Sequence, residues 1–489
     1  MGIILKQSSI NTVIIFIAFA IGGINTLFLY TNFLTPERYG LVVFLLSAAN
    51  LLMPLTAFGV QYTIVKFFSS YQTKLEKDRF LSMAIILPLF IALPIGFLVV
   101  VFYEKISIFL STENTMIKDY TYIIYLVAVA TAYFEVFYAW AKVQMQSTFG
   151  NAIRELFSRI MILFLLILVS VGVIDGHEFI LYLTALYFLR TLIMMLYAFK
   201  LYTPKFTFSF PENIREIISY SAYIILAGSA GAILLDIDKV MLPQKEAIEL
   251  AAFYTVGVFI ASVVEAPGRA MLQIVQPLTS KAINEKNTIE IASLYKRTSV
   301  NLFIVCGLFF ILINCNVEEL YKIVGKPEYS KGIFIVLMIS IAKLYNMFLG
   351  NNGAIISNSK YYKILLPYGI AMAISVTYLN IVLIDLFNMN GAALSTLLVI
   401  LVFNTIKILY VKKKFNILPF TTKSWLVLVV IILFLFAFYF WNFNSNPILN
   451  IVFKSILITI SYVFIIFKLN LSVQINAMIN KLLYKKQSL

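Results

Sequence analysis

The sequence predicts an all-α polytopic membrane protein. It should have about 14 transmembrane helices: two six-helix lobes around a central cavity, plus a C-terminal helix pair. Three observations predict this. Apolar runs near the ~20 residues needed to cross a bilayer recur along the whole chain. Of the 489 residues, 61% are hydrophobic and 12% charged, against about 25% charged in a soluble domain. The deficit is spread evenly, which leaves no room for a sizeable soluble domain. Finally, the excess of Lys and Arg falls on alternate connections, as the positive-inside rule requires.

The apolar runs fall at 9–34, 39–64, 79–103, 117–142, 151–174 and 178–200, then at 216–236, 250–280, 297–316, 332–357, 361–385, 390–411, 423–442 and 447–468. They are helices because lipid offers no partner to an open backbone hydrogen bond, and they are too long for barrel strands. The first run lacks a small-residue cleavage site and reads as a permanent span. With the N-terminus inside, the inner connections hold Lys66, Lys74, Lys77 and Arg79, then Lys142 and Arg154, then Lys200, Lys205 and Arg215. Lys281, Lys286, Lys296, Arg297, Lys360, Lys363 and Lys412 to Lys414 follow, with Lys481, Lys485 and Lys486 in the tail. The net charge of +15 therefore orients the chain and does not point to nucleic acid.

Six spans per half return the chain to the same side, so the halves read as parallel repeats. Residues 1–200 form an N-terminal lobe, and 201–215, with Pro204 and Pro211, a cytoplasmic linker. Residues 216–414 form a C-terminal lobe, and 415–489 the last two spans with a basic cytoplasmic tail. Pro54, Pro88, Pro94, Pro267, Pro277 and Pro367 fall within spans and are expected to kink them. The small-residue run Ala227 to Ala232 is expected to let the seventh span press closely on a neighbour. Cys306 and Cys315, nine positions apart on one helix, are ~13 Å apart and too distant for a disulfide. His177 stands alone, so no metal, cofactor or catalytic residue is expected.

Charges inside spans carry the functional reading, because each costs at least ~2.5 kcal/mol at mid-helix on insertion scales. In the eighth span Glu265, Arg269, Gln273 and Gln276 recur at helical spacing as one polar stripe, read either as lining a cavity or as an internal Glu265–Arg269 pair. In the tenth span Lys343 and Asn346 share a face, and Lys343 needs a partner from another helix. Arg190 lies on the sixth span with Tyr187 and Tyr197. Glu135, Tyr138, Lys142 and Gln146 share a face of the fourth, where Glu135 is expected to pair with a cation across the lobes. Tyr138 and Trp140 are candidate sugar contacts. Lys454 is expected to snorkel to the outer surface. Asp236 and Asp238 read either as solvent-facing helix-end residues or as part of a coupling site. The deep set is slightly cationic, which suits an anionic group, and Arg suits phosphate because its fork donates two parallel hydrogen bonds.

Several segments carry a family resemblance: Leu34-Thr35-Pro36-Glu37-Arg38-Tyr39-Gly40 with Phe58-Gly59-Val60-Gln61, then Asp236-Ile237-Asp238-Lys239-Val240-Met241-Leu242, Ala252-Phe253-Tyr254, and Asn390-Gly391 through Thr396. Over essentially the whole chain the sequence resembles polysaccharide-type members of the superfamily that unites multidrug exporters, oligosaccharide-lipid flippases and polysaccharide exporters. The nearest group is the O-antigen flippases. The resemblance implies a V-shaped two-lobed fold in a bacterial cytoplasmic membrane, and the charge distribution above puts both expected termini on the cytoplasmic side. It implies movement of undecaprenyl-pyrophosphate-linked oligosaccharide from the inner to the outer leaflet, with cations in a central cavity. Arg269, Lys343 and Arg190 are the matching positions. The expected partners are the lipid-linked oligosaccharide, the bilayer, and a polysaccharide polymerase with chain-length proteins. An absence of charge between Asn11 and Pro36 departs from the peptidoglycan-precursor branch, where arginines are expected in the first helix. The alternatives are a cation-coupled multidrug exporter, which needs a carboxylate in the cavity, and a membrane polymerase or ligase. The short outer connections, 104–117, 237–249 and 317–331, disfavour the latter.

Overall fold

A computed structural model describes residues 2–441 and 446–484. Twelve helices among these residues are long and apolar enough to cross a membrane, and no strand occurs among them. The expected eleventh and twelfth spans are two helices that meet at a kink at Asn388 (φ 50°, ψ −132°) within Leu365–Phe415. The expected fifth span falls on a helix broken by a π-helical turn at Ala152–Phe157. The count of twelve takes the two helices of Leu365–Phe415 as one and leaves out the fifth span, so it does not confirm the expected number of about 14.

We label the helices α1 (Ile10–Phe33), α2 (Pro36–Thr56), α3 (Val60–Phe67), α4 (Lys74–Val101), α5 (Thr121–Val143), α6 (Ser158–Ser170), α7 (Gly176–Leu201) and α8 (Ile214–Lys245). These are followed by α9 (Glu249–Ser262), α10 (Ala266–Asn284), α11 (Thr288–Val324), α12 (Ile333–Phe348), α13 (Leu365–Phe415), α14 (Thr422–Tyr439), α15 (Pro447–Lys468) and α16 (Val473–Tyr484). The expected second span, 39–64, is two helices. Phe58 and Gly59 adopt left-handed φ of 47° and 65° between α2 and α3, a conformation that only Gly adopts without strain. The expected eighth span, 250–280, breaks at a 3₁₀ turn, Val263–Glu265, before Pro267 opens α10 at its first turn. Pro267 thus starts a helix where a kink was expected. The supposed outer loop 237–249 is mostly the last two turns of α8, and α16 is a further helix in the tail.

Side chains fix the helix starts. Thr73 and Glu76 form a capping box on α4, and Asp175 and Glu178 form one on α7, each satisfying orphan N–H groups at the helix start. By packing, the chain forms two compact units: residues 1–255 with 369–388, and 256–368 with 389–489. In the first unit α5 is central, with α2, α3, α4 and α7 packed around it and α8 against α2. Phe134, Val136, Phe137, Trp140 and Ala141 of α5 are buried in that core. In the second unit α10, α12, α14 and α15 surround α11, around Leu302, Cys306, Ile311, Ile431 and Tyr462. Lipid tails are as apolar as these side chains, so close fit rather than exclusion of water holds each bundle. Cys306 and Cys315 are both buried and free. Lys454 does not snorkel: it is 1% exposed, and its Nζ donates to the Cys315 carbonyl at 2.8 Å. A buried main-chain acceptor on α11 outbids the outer surface.

Candidate functional site

The first unit encloses a cavity of about 950 Å³ among α2, α3, α5, α7, α8 and the π-helical turn. Arg190 of α7 reaches it from a buried position, 8% exposed. Its guanidinium stacks 4.1 Å from the Tyr187 ring centroid and 5.0 Å from that of Phe134. Nη2 donates to Thr131 Oγ1 at 3.0 Å, and buried Nε has no hydrogen-bond partner among the described residues. No carboxylate among them lies within salt-bridge distance of Arg190.

Glu135 lines the same cavity. Its partner is Arg154 at 3.4 Å, within the same unit, and not a cation of the other half as expected. Arg154 was read as a loop residue. The π-helical turn that carries it widens the backbone and turns it, with Glu155, onto the cavity wall. Lys66, expected only as an inner-connection charge, and Lys142, expected on the same face of the fourth span as Glu135, are also lining residues. Each sits over a tyrosine: Lys66 Nζ is 3.8 Å from the Tyr220 ring centroid, and Lys142 Nζ 3.9 Å from that of Tyr138. Tyr138 therefore supports Lys142 from behind, wedged against Gly150. Trp140 is fully buried against Phe137 and Phe199, so it cannot touch a sugar. Four cations face three carboxylates on the lining, the third being Asp236.

Asp236 and Asp238 are not solvent-facing helix-end residues. Asp236 is held by Lys239 at 2.8 Å and by Ser47 and Asn50 at 3.3 Å each. Asp238 is buried, accepting from Asn380 at 2.6 Å and from the Tyr254 hydroxyl. The run Ala227 to Ala232 has a second role besides the expected packing. Ala227, Gly228, Gly231 and Ala232 line the cavity, and a Cβ built on Gly231 meets nothing within 4 Å. At Gly231 these small residues leave a space open, while the same helix packs on α2 with Ala230 buried, as expected of close packing.

The second unit brings together three of the predicted residues. Glu265 Oε1 accepts from Arg269 Nη2 at 2.5 Å and from Lys343 Nζ at 3.1 Å. Glu265 is buried while Arg269 is half exposed, with side-chain exposures of 9% and 52%. The partner that Lys343 required is thus Glu265, and the Glu265–Arg269 pair is internal. Gln273 and Gln276 continue the stripe as exposed residues. Asn346 accepts from Asn404 at 3.3 Å. Lys407 Nζ lies 4.8 Å from the Tyr368 ring centroid.

Solved transporter structures share this fold. A lipid II flippase, MurJ, in an inward closed conformation superposes with a TM-score of 0.73 at 14% identity, covering 94% of this chain and 98% of that one. An inward-facing multidrug resistance transporter of the MATE family gives 0.59 at 12%, covering 84% and 98%. A superfamily transporter from Pyrococcus furiosus gives 0.56 at 12%, covering 85% and 95%. No curated protein matches the sequence. A family model described as polysaccharide biosynthesis protein matches residues 4–267, more than half of the chain. The protein belongs to that polysaccharide biosynthesis family.

Proposed function

We propose that the protein is a flippase. It carries undecaprenyl-pyrophosphate-linked oligosaccharide, an O-antigen or capsule repeat unit, from the inner to the outer leaflet by alternating access. The family and the flippase-type fold support movement of a lipid-linked substrate. The observation that carries the finer reading is Arg190: a buried guanidinium facing a cavity, with a free buried N–H and only aromatic and hydroxyl neighbours. A pyrophosphate supplies the missing acceptor by accepting charge-assisted hydrogen bonds. Lys66, Lys142 and Arg154 add positive charge to the same wall, and Glu135 and Tyr138 hold two of them in place. A volume near the upper end for small-molecule pockets, ~1,000 Å³, suits the pyrophosphate and the first sugars, with the lipid tail left in the bilayer. On this reading residues 1–200 and 216–414 are the two lobes, joined by 201–215. The Glu265–Arg269–Lys343 group, with Gln273, Gln276 and Asn346, is a second polar group that the substrate contacts, and the flipped unit passes to a polysaccharide polymerase with its chain-length proteins.

A multidrug exporter is the second reading, favoured by the carboxylates Glu135 and Asp236 on the lining. Both already bind cations, Arg154 and Lys239, which leaves them poor receptors for a cationic drug. The test is flipping in proteoliposomes, using polyprenyl-pyrophosphate-linked oligosaccharide and the same lipid with a neutral linkage. The expected result is transport of the pyrophosphate form only, with loss in Arg190→Ala. Equal rates for both lipids, or for both proteins, would reject the reading.

A further inference from the structure

Between α7 and α8 the chain runs through residues 202–213 without helix. Every second residue from Phe206 to Phe210 is a phenylalanine. Phe206, Phe208 and Phe210 are 62%, 93% and 54% exposed, so the strap turns all three rings away from the protein. The other side of the strap is fixed to α4. The Tyr202 hydroxyl donates to Asp78 Oδ1 at 2.7 Å, and the Thr207 N–H donates to Ser82 Oγ at 3.3 Å. Burial and the neighbouring Asp78 carboxylate push the Tyr202 hydroxyl up to about 12, so this attachment stays protonated at neutral pH. Tyr71 donates to Asn213 at 2.7 Å and secures the far end.

Those attachments set the height of the strap. Arg79 is the last charge at the start of α4, and every residue from Phe80 to Val101 is uncharged. Ser82 lies three residues further in, ~4.5 Å along the axis at 1.5 Å per residue. The main chain at Thr207 is therefore level with the first apolar turn of a spanning helix, not above the charged rim. Leu196 of α7 and Ile218 of α8, both exposed, continue the apolar surface on either side. Lys200, Lys205 and Arg215 flank the strap with positive charge.

We infer that Phe206, Phe208 and Phe210 form a membrane anchor, inserted among the headgroups and upper acyl chains of a leaflet that contains anionic lipid. Amphipathic segments with aromatic residues bury their apolar face ~5–10 Å into this zone, and basic neighbours add attraction to anionic headgroups. The exposed rings, the depth set by Ser82 and the basic flanks all fit lipid. A partner protein would have to approach at the level of the acyl chains.

Because Cys306 and Cys315 are buried, a single introduced cysteine accepts a nitroxide label selectively. Phe208→Cys would be labelled in the full-length protein, reconstituted in phosphatidylethanolamine–phosphatidylglycerol vesicles. Power saturation would then compare its access to oxygen and to a water-soluble nickel chelate. Phe97→Cys on the exposed apolar face of α4 and Lys286→Cys beyond α10 serve as lipid and water references. Access dominated by oxygen, as at position 97, is the expected result. Access dominated by nickel, as at position 286, overturns the anchor. Low access to both reagents also overturns it, because protein would then cover the rings.

Discussion

Arg190 and Arg269 carry the same group in two differently built surroundings. In the first unit Arg190 is buried and held by two ring faces and one hydroxyl. In the second, Arg269 is half exposed and shares a buried carboxylate with Lys343. A ring face stabilises a cation by about 0.5–2 kcal/mol and leaves no charge behind when a phosphate takes over. Pulling Arg269 and Lys343 from Glu265 strands a buried anion, which costs several kcal/mol. The difference separates a cation ready for a new partner from cations already committed. Of the three cations that the resemblance offers for pyrophosphate, Arg269, Lys343 and Arg190, it favours Arg190.

Transport measurements break or keep that contrast most directly. Arg190→Ala removes charge-assisted hydrogen bonds of about 1.5–3 kcal/mol, so flipping should fall at least about tenfold with thermal stability preserved. Arg190→Lys should recover only part of it, because a point charge replaces a two-pronged donor. Arg269→Ala should cost less than Arg190→Ala in the same assay. The reverse order would dissolve the comparison.

Stability in detergent probes the other side. Breaking a buried ion pair costs about 3–5 kcal/mol, and the half-exposed Arg269 reduces this. Glu265→Ala should therefore lower stability by about 2 kcal/mol, leaving Arg269 and Lys343 to repel each other. An unchanged melting temperature would mean that solvent, not Glu265, compensates them.

Two smaller changes sharpen the picture of the cavity wall. A Cβ on Gly150 would come within 2.2 Å of the Tyr138 ring. Gly150→Ala should then cost about 1–3 kcal/mol from overpacking and displace the ring beneath Lys142. Melting curves without any shift would show that the ring moves freely. Thr131→Val removes one neutral acceptor from Arg190, worth about 1 kcal/mol. Up to about fivefold weaker transport is expected, and tighter binding would count against the arrangement.

Much of the fold was legible because lipid enforces a simple rule: apolar length gives helices and breaks give connections. The sites where helices bend locally were not. Gly59, the 3₁₀ turn at Glu265 and the π-helical turn at Arg154 all lie inside expected spans, where hydropathy continues across the break; the kink at Asn388 falls in the connection expected between 385 and 390. The Glu265–Arg269 contact was legible from spacing alone, since i,i+4 residues meet on a helix. The roles of Lys66, Lys142 and Arg154 were hidden because basic residues at span ends read first as orientation markers. The Ala227 to Ala232 run was ambiguous in kind: small residues admit either a neighbouring helix or an open space, and only the tertiary arrangement decides.

The ammonium of Lys454, seated on the Cys315 carbonyl, has a consequence for biogenesis. As α15 leaves the insertion machinery it carries a charge that hydrocarbon rejects, and α11 holds the acceptor that relieves it. Docking of the final span should therefore depend on prior placement of α11. A chain that ends before residue 447 would leave the face of α11 that α15 covers open to acyl chains, and the cell's quality control should clear it.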